Sequence, residues 1–222
     1  MSKLLSIVNK KVKFKVNEIL PKVFYIEFND RKDLTSTLLR FQEHYESPKF
    51  RNKIFSLKEF AQWYSTTRKG RFTYFSDWSG FNFPSYVLKP FYEGKFDSLT
   101  VREKQILEAF KEEKGLFYII ATYKNKNQED FMGTKKHEIA HSQYYLNKKY
   151  YNAVNSILKN LKLKPIFKYI KSLGYHKSVF LDEAHAYLLT DSEALVEEGI
   201  NISNYSKAIS ALEKNYKNKV KV

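Results

Sequence analysis

The chain contains no cysteine. A disulfide framework is therefore excluded, and any zinc site has to be built from histidine and carboxylate. No run of about 18 apolar residues occurs, so the sequence offers no membrane-spanning helix. The apolar patch at the amino terminus, around Leu4–Val8, is too short for the core of a secretion signal. Together these absences predict an intracellular, cytoplasmic protein with no membrane partner. Glycine-rich phosphate loops are missing, as is the G-x-S-x-G elbow, so nucleotide-binding and serine-hydrolase readings have no support. Neither an internal repeat nor a low-complexity linker marks a domain boundary.

Aromatic residues, by contrast, are abundant: 17 Tyr and 18 Phe in 222 residues, within 43% hydrophobic content. That is ample for a packed core. The formal charge is +15, which raises the alternative of a basic nucleic-acid- or partner-binding protein whose metal site is structural or vestigial. The excess is not concentrated, however. Segments 1–50, 51–100, 101–150 and 151–222 carry net +4, +4, +3 and +4. An evenly spread charge is weak support for a dedicated nucleic-acid surface, and that partner is not favoured.

One stretch carries recognisable chemistry. Lys135-Lys136-His137-Glu138-Ile139-Ala140-His141 reads H-E-x-x-H. On a helix, positions i and i+4 share a face, so His137 and His141 can grip one ion. Glu138 lies about 100° around the helix, placed to act on a water without being a ligand. With five histidines, such a motif arises by chance in about one chain in a hundred of this length. A catalytic zinc normally has three protein ligands and one open position. The stretch Val179–Leu189 is helical in pattern and mostly apolar, and Glu183 shares a face with Val179, Ala186 and Tyr187. A carboxylate on such a face is costly to bury unless paired or metal-bound, which makes Glu183 the candidate third ligand. Asp182, about 100° away, reads as a solvent-side or outer group, and His185, about 200° away, cannot easily share the same ion.

These residues resemble the zincin metallopeptidases, and the histidine pair with a later glutamate is similar to the glutamate-type branch, the gluzincins. The separation of His141 from Glu183 is longer than in thermolysin-like enzymes. The extended metzincin pattern is absent, with Tyr144 and Asn147 standing where its glycine and third histidine would be. The resemblance implies Zn²⁺ as cofactor, a peptide or protein substrate, and Glu138 as general base. It also implies a tyrosine or histidine beside the oxyanion, for which Tyr175, His176 and Tyr187 are candidates.

The expected fold is α+β: a single zincin-like domain over 1–222, mostly helical, with a small mixed or antiparallel sheet next to the motif helix. Residues 1–125 are expected to hold the sheet, and residues 126–222 the metal ligands. Strands are expected at 11–16, 23–28 and 116–123, the last resembling the edge strand that pairs with substrate in zincins. Helices are expected at 34–45, 56–66 and 100–113, the last two opened by capping boxes. Further helices are expected at 130–146, 150–161 and 165–173. Residues 73–85 read as a loop, either pinned to the core by its aromatics or facing the substrate.

Overall fold

The computed structural model describes residues 2–96, 98–124 and 128–219. It is an α+β protein, mostly helical, with one four-stranded mixed sheet. The chain divides into two compact units, 1–45 with 50–126, and 46–49 with 127–222.

The first unit begins with α1 (Ser2–Val8), a short helix that the sequence pattern does not suggest, which buries Leu4 and Val8 one turn apart. A hairpin follows, β1 (Phe14–Leu20) and β2 (Val23–Phe28). Lys22 takes a positive φ of 61° at its turn. Helix α2 (Arg31–Glu46) starts earlier than its apolar pattern indicates, because Asp30 Oδ1 accepts from the Asp33 backbone N–H at 2.8 Å and caps it. The capping boxes hold: Ser56 with Glu59 opens α3 (Leu57–Thr67).

Residues 73–85 are not a loop. They form a turn of helix, α4 (Tyr74–Asp77), and a strand, β3 (Gly80–Pro84), with Tyr74, Phe81 and Phe83 buried. The proline hides the strand in the sequence pattern, yet it is tolerated because β3 lies at the sheet edge. Next come α5 (Lys89–Tyr92), α6 (Val101–Phe110), capped by Thr100 with Glu103, and β4 (Tyr118–Tyr123). The strand order is β1-β2-β4-β3, with β4 parallel to β2 and antiparallel to β3. Both edges of β4 are thus occupied, and it cannot be the edge strand that receives a substrate. Its unbroken apolar run is the mark of a strand covered on both faces, not of an edge.

Between α2 and α6 the first unit buries an ion pair. Arg40 Nε donates to Glu103 Oε1 at 2.7 Å and Nη2 to Oε2 at 2.5 Å, with both side chains 3% exposed or less. Glu103 Oε2 also accepts from the Thr100 N–H at 2.8 Å, so one carboxylate joins the helix cap to the pair. Glu103→Ala is expected to destabilise the fold by about 3–5 kcal/mol in urea unfolding, because it removes the bidentate carboxylate from a fully buried guanidinium. The double substitution of Arg40→Met with Glu103→Leu should recover most of that loss.

The second unit is helical. Its elements are α7 (Gln128–Leu146), α8 (Lys148–Leu158), α9 (Lys164–Leu173), α10 (Phe180–Thr190), α11 (Ser192–Glu197) and α12 (Ser206–Lys219). Asn147 caps α8 through Oδ1, accepting from the Tyr150 N–H at 3.1 Å. Gly174 closes α9 at φ 100°, a left-handed position that suits glycine. Helix α10 is the hub, packed against α7, α8, α9 and α12. That accounts for its apolar composition: apart from Tyr187, every residue from Asp182 to Leu189 is buried.

Candidate metal centre

The motif lies on α7 and its proposed partner on α10, and the packing of those two helices creates the site. Among the described residues, one group of metal-ligating side chains converges closely enough to hold an ion: His137, His141 and Glu183. Their ligand atoms all lie within 4.8 Å of one another. Nε2 of His137 is 3.9 Å from Glu183 Oε2, and Nε2 of His141 is 3.6 Å from Glu183 Oε1. A tetrahedron with bonds of about 2.1 Å has edges of roughly 3.5 Å, so binding would shorten the two Glu183 distances by a few tenths of an ångström and the widest separation by up to about 1.3 Å.

Each imidazole is held from behind. His137 Nδ1 lies 2.8 Å from Asp191 Oδ2 and 3.0 Å from Thr190 Oγ1. The Thr190 hydroxyl donates to the Ala186 carbonyl at 2.8 Å, so it accepts from the ring. His141 Nδ1 lies 2.9 Å from Asp182 Oδ1. A carboxylate stands behind the Nδ1 of each ring, and Nε2 turns inward. His141 Nε2 and Glu183 Oε2 are buried and meet no hydrogen-bond partner among the described residues. Buried polar atoms are seldom left so. Two inward imidazole nitrogens and a carboxylate are a donor set suited to Zn²⁺.

The electrostatics follow from burial and crowding. Burial opposes a charge on His141, but Asp182, Glu183 and Glu138 outweigh it and hold the ring well above the ordinary histidine value. Burial pushes Glu183 up to about 7; His141 and His137 counter it, and Asp182 and Glu138 add to it. Against the cost of burial, His141 and His185 keep Asp182 below its ordinary value, and His137 does the same for Asp191.

Glu138 is buried, and its charge is felt by His141, Glu183, Tyr175 and Tyr187, which places it among them. Tyr187 sets its ring edge-on to His137, centroids 5.3 Å apart. Burial, with Glu183 close by, raises both the Tyr187 and Tyr175 phenols, so each stays protonated at neutral pH. His176 is engaged differently: its Nδ1 pairs with Ser178 Oγ at 2.9 Å and caps the turn before α10.

Sequence reasoning misses three participants. Asp191 and Thr190 sit at the end of α10, where nothing local marks them. Glu46 lies 92 positions before Glu138. It is buried, its carbonyl accepts from the His176 N–H at 3.1 Å, and burial together with Glu183, Glu138 and Asp182 drives its carboxyl well above the ordinary range.

Comparison with models of protein families, with curated proteins and with solved structures found no match. The reading of the site therefore rests on its own geometry.

Proposed function

We propose that this chain is a zinc-dependent hydrolase acting on a peptide bond, with His137, His141 and Glu183 as ligands and Glu138 as general base. The observation that carries the reading is the convergence of two inward-facing imidazoles and a buried carboxylate, with a second buried glutamate beside them. Zn²⁺ in that position would supply a Lewis acid for the scissile carbonyl and would acidify a water. Glu138 takes the proton as the water attacks, then delivers it to the departing amine. Tyr187 or Tyr175 donates a hydrogen bond to the oxygen on which negative charge develops. Asp191 and Asp182 stand behind the two histidines, whose Nε2 atoms turn inward. A cytoplasmic setting is consistent with the absence of cysteine, and no helix among the described residues is long and apolar enough to cross a membrane.

Metal analysis of the purified protein tests the reading: about one zinc per chain is expected, and a chain that takes up no metal ends it. The pH dependence follows from the raised values of His141 and Glu183. Both groups hold protons that a cation has to displace, so affinity rises with pH until both are deprotonated, Glu183 ceasing to contribute above about 7 and His141 continuing beyond the ordinary histidine range. Each displaced proton contributes about a tenfold change in affinity per pH unit at pH below its own value. Calorimetry in buffers of different ionisation enthalpy should register proton release at neutral pH. Uptake that is independent of pH between 6 and 8 would count against these ligands.

A further inference from the structure

Helix α3 buries one face, Leu57, Phe60 and Tyr64, in the core of the first unit. A second stripe runs beside it: Lys58, Ala61, Gln62, Ser65 and Thr66, spaced i, i+3, i+4, i+7 and i+8. This stripe is one wall of a cavity of about 900 Å³. Leu4 and Ile7 of α1, Lys32 of α2, and the rings of Phe72 and Phe75 stand around the rest of it. Phe72 meets Phe60 and Tyr64 with ring centroids 6.3 and 5.9 Å apart, and Phe75 at 5.3 Å. Both Phe72 and Phe75 are half-buried, packed on the core and lining the cavity at once.

We propose that this cavity binds a free long-chain carboxylate, with the acyl chain against its aliphatic and phenylalanine walls and the charge answered by Lys32 and Lys58. The proposal does not rest on the metal reading, and its lining belongs wholly to the first unit.

Three observations select that chemistry. The first is size: about 900 Å³ is near the upper end for small-molecule sites, room for a chain rather than an ion or a single ring. The second is what the polar lining can still offer. The Ser65 hydroxyl donates to the Ala61 carbonyl at 2.8 Å, and the Thr66 hydroxyl donates to the Trp63 carbonyl at 2.7 Å. Those donors are spent within α3 itself. A peptide or a sugar would bring polar groups along its whole length and leave many of them unpaired here, whereas an acyl chain brings none. The third is charge. Lys32 and Lys58 form no ion pair among the described residues. The acidic side chains beside them are turned to other partners: Asp33 Oδ1 lies 2.8 Å from Arg102 Nη1, and Glu59 Oε2 accepts from the Ser56 N–H at 2.7 Å. Each lysine is also the second residue of its helix, where a cation is disfavoured. An anion relieves both the lysine and the helix end. A neutral or cationic amphiphile would fit the walls and leave that positive charge unanswered.

Calorimetric titration of the full chain with decanoate, dodecanoate and tetradecanoate, each below its micelle concentration, tests the proposal. One site per chain is expected. Each buried methylene contributes about a fourfold gain, so affinity should rise roughly fifteenfold for every two carbons added. Dodecanol, with the same chain and no charge, should bind about tenfold more weakly than dodecanoate. The double substitution Lys32→Gln with Lys58→Gln should cost dodecanoate the same factor and leave dodecanol unchanged. Both lysines are exposed, so that variant should melt as the unsubstituted chain does. Ala61→Phe sets a ring into the cavity and should abolish binding of both ligands. Absence of saturable tetradecanoate binding, an affinity that ignores chain length, or equal binding of dodecyltrimethylammonium would each overturn the proposal. So would carboxylate binding that neither variant disturbs. A dimer in sedimentation that dissociates in Ala61→Phe would overturn it too, by giving this face to a second copy of the chain.

Discussion

Glu138→Gln is expected to retain zinc and lose turnover by about 10²–10⁴-fold, the usual contribution of a positioned general base. The two halves of that expectation have different origins. Zinc is retained because the converging donors are His137, His141 and Glu183, and Glu138 is not among them. Turnover is lost because the amide has the same shape as the carboxylate but cannot accept a proton. Glu138 is buried within the reach of His141 and Glu183, so replacing its charge should also lower the proton affinity of His141 slightly and leave zinc bound at least as readily at neutral pH. Cleavage of a mixture of unstructured peptides, followed by mass spectrometry with metal content measured on the same sample, reads both halves. Loss of zinc would move Glu138 into the ligand set. Full turnover with zinc bound would mean that the water is activated by another group, and Glu46 is the carboxylate next in place.

The features of the site that are legible in the sequence are those governed by local geometry. His137 and His141 are one helical turn apart and must share a face whatever surrounds them. Glu183 stands out because a carboxylate inside an apolar helix needs a reason to be there, and α10 is indeed the buried hub of its unit. Thr100 with Glu103 and Ser56 with Glu59 are visible because a capping box is contained within four residues. What stays hidden depends on contacts distant in sequence. Nothing around Asp191 says that its carboxylate reaches His137 across helices, and nothing around Glu46 says that it feels the charge of Glu183. Helical geometry alone makes His185 a poor partner for the ion that Glu183 would hold, yet the tyrosine hydroxyl 2.8 Å from its Nε2 cannot be guessed, because Tyr150 belongs to another helix. The position of β4 just before the motif suggests an edge strand. Its continuous apolar run, readable from the same residues, points instead to a central place between β2 and β3.

Glu183→Gln should separate the two forces acting on this site by moving them in opposite directions. Without metal, Glu183 is a fully buried carboxyl whose ionisation is pushed up to about 7. A carboxyl raised in the folded state binds protons more tightly there than in the unfolded chain. Stability therefore falls as pH rises from its ordinary value near 4.5 to about 7, and levels off above. Each tenfold change in acidity corresponds to ~1.4 kcal/mol, so the cost at neutral pH is on the order of a few kcal/mol. His141, held protonated by the same carboxylates, offsets some of it. The amide carries no such cost. Metal-free Glu183→Gln is thus expected to be more stable than the unsubstituted chain at pH 8, with the advantage shrinking toward pH 5. Zinc should reverse the order. It stabilises a folded chain that binds it by about 2.7 kcal/mol at a hundredfold excess over the dissociation constant, and the variant, lacking an anionic third ligand, should gain little. Thermal melts of both proteins at pH 5 and pH 8, with and without zinc, give the four differences needed. A crossing of the two stabilities on adding zinc at pH 8 is the expected result. Equal stabilisation by zinc would remove Glu183 from the ligand set, and a variant less stable than the unsubstituted chain in metal-free buffer would mean that Glu183 is retained as a structural partner of the histidines.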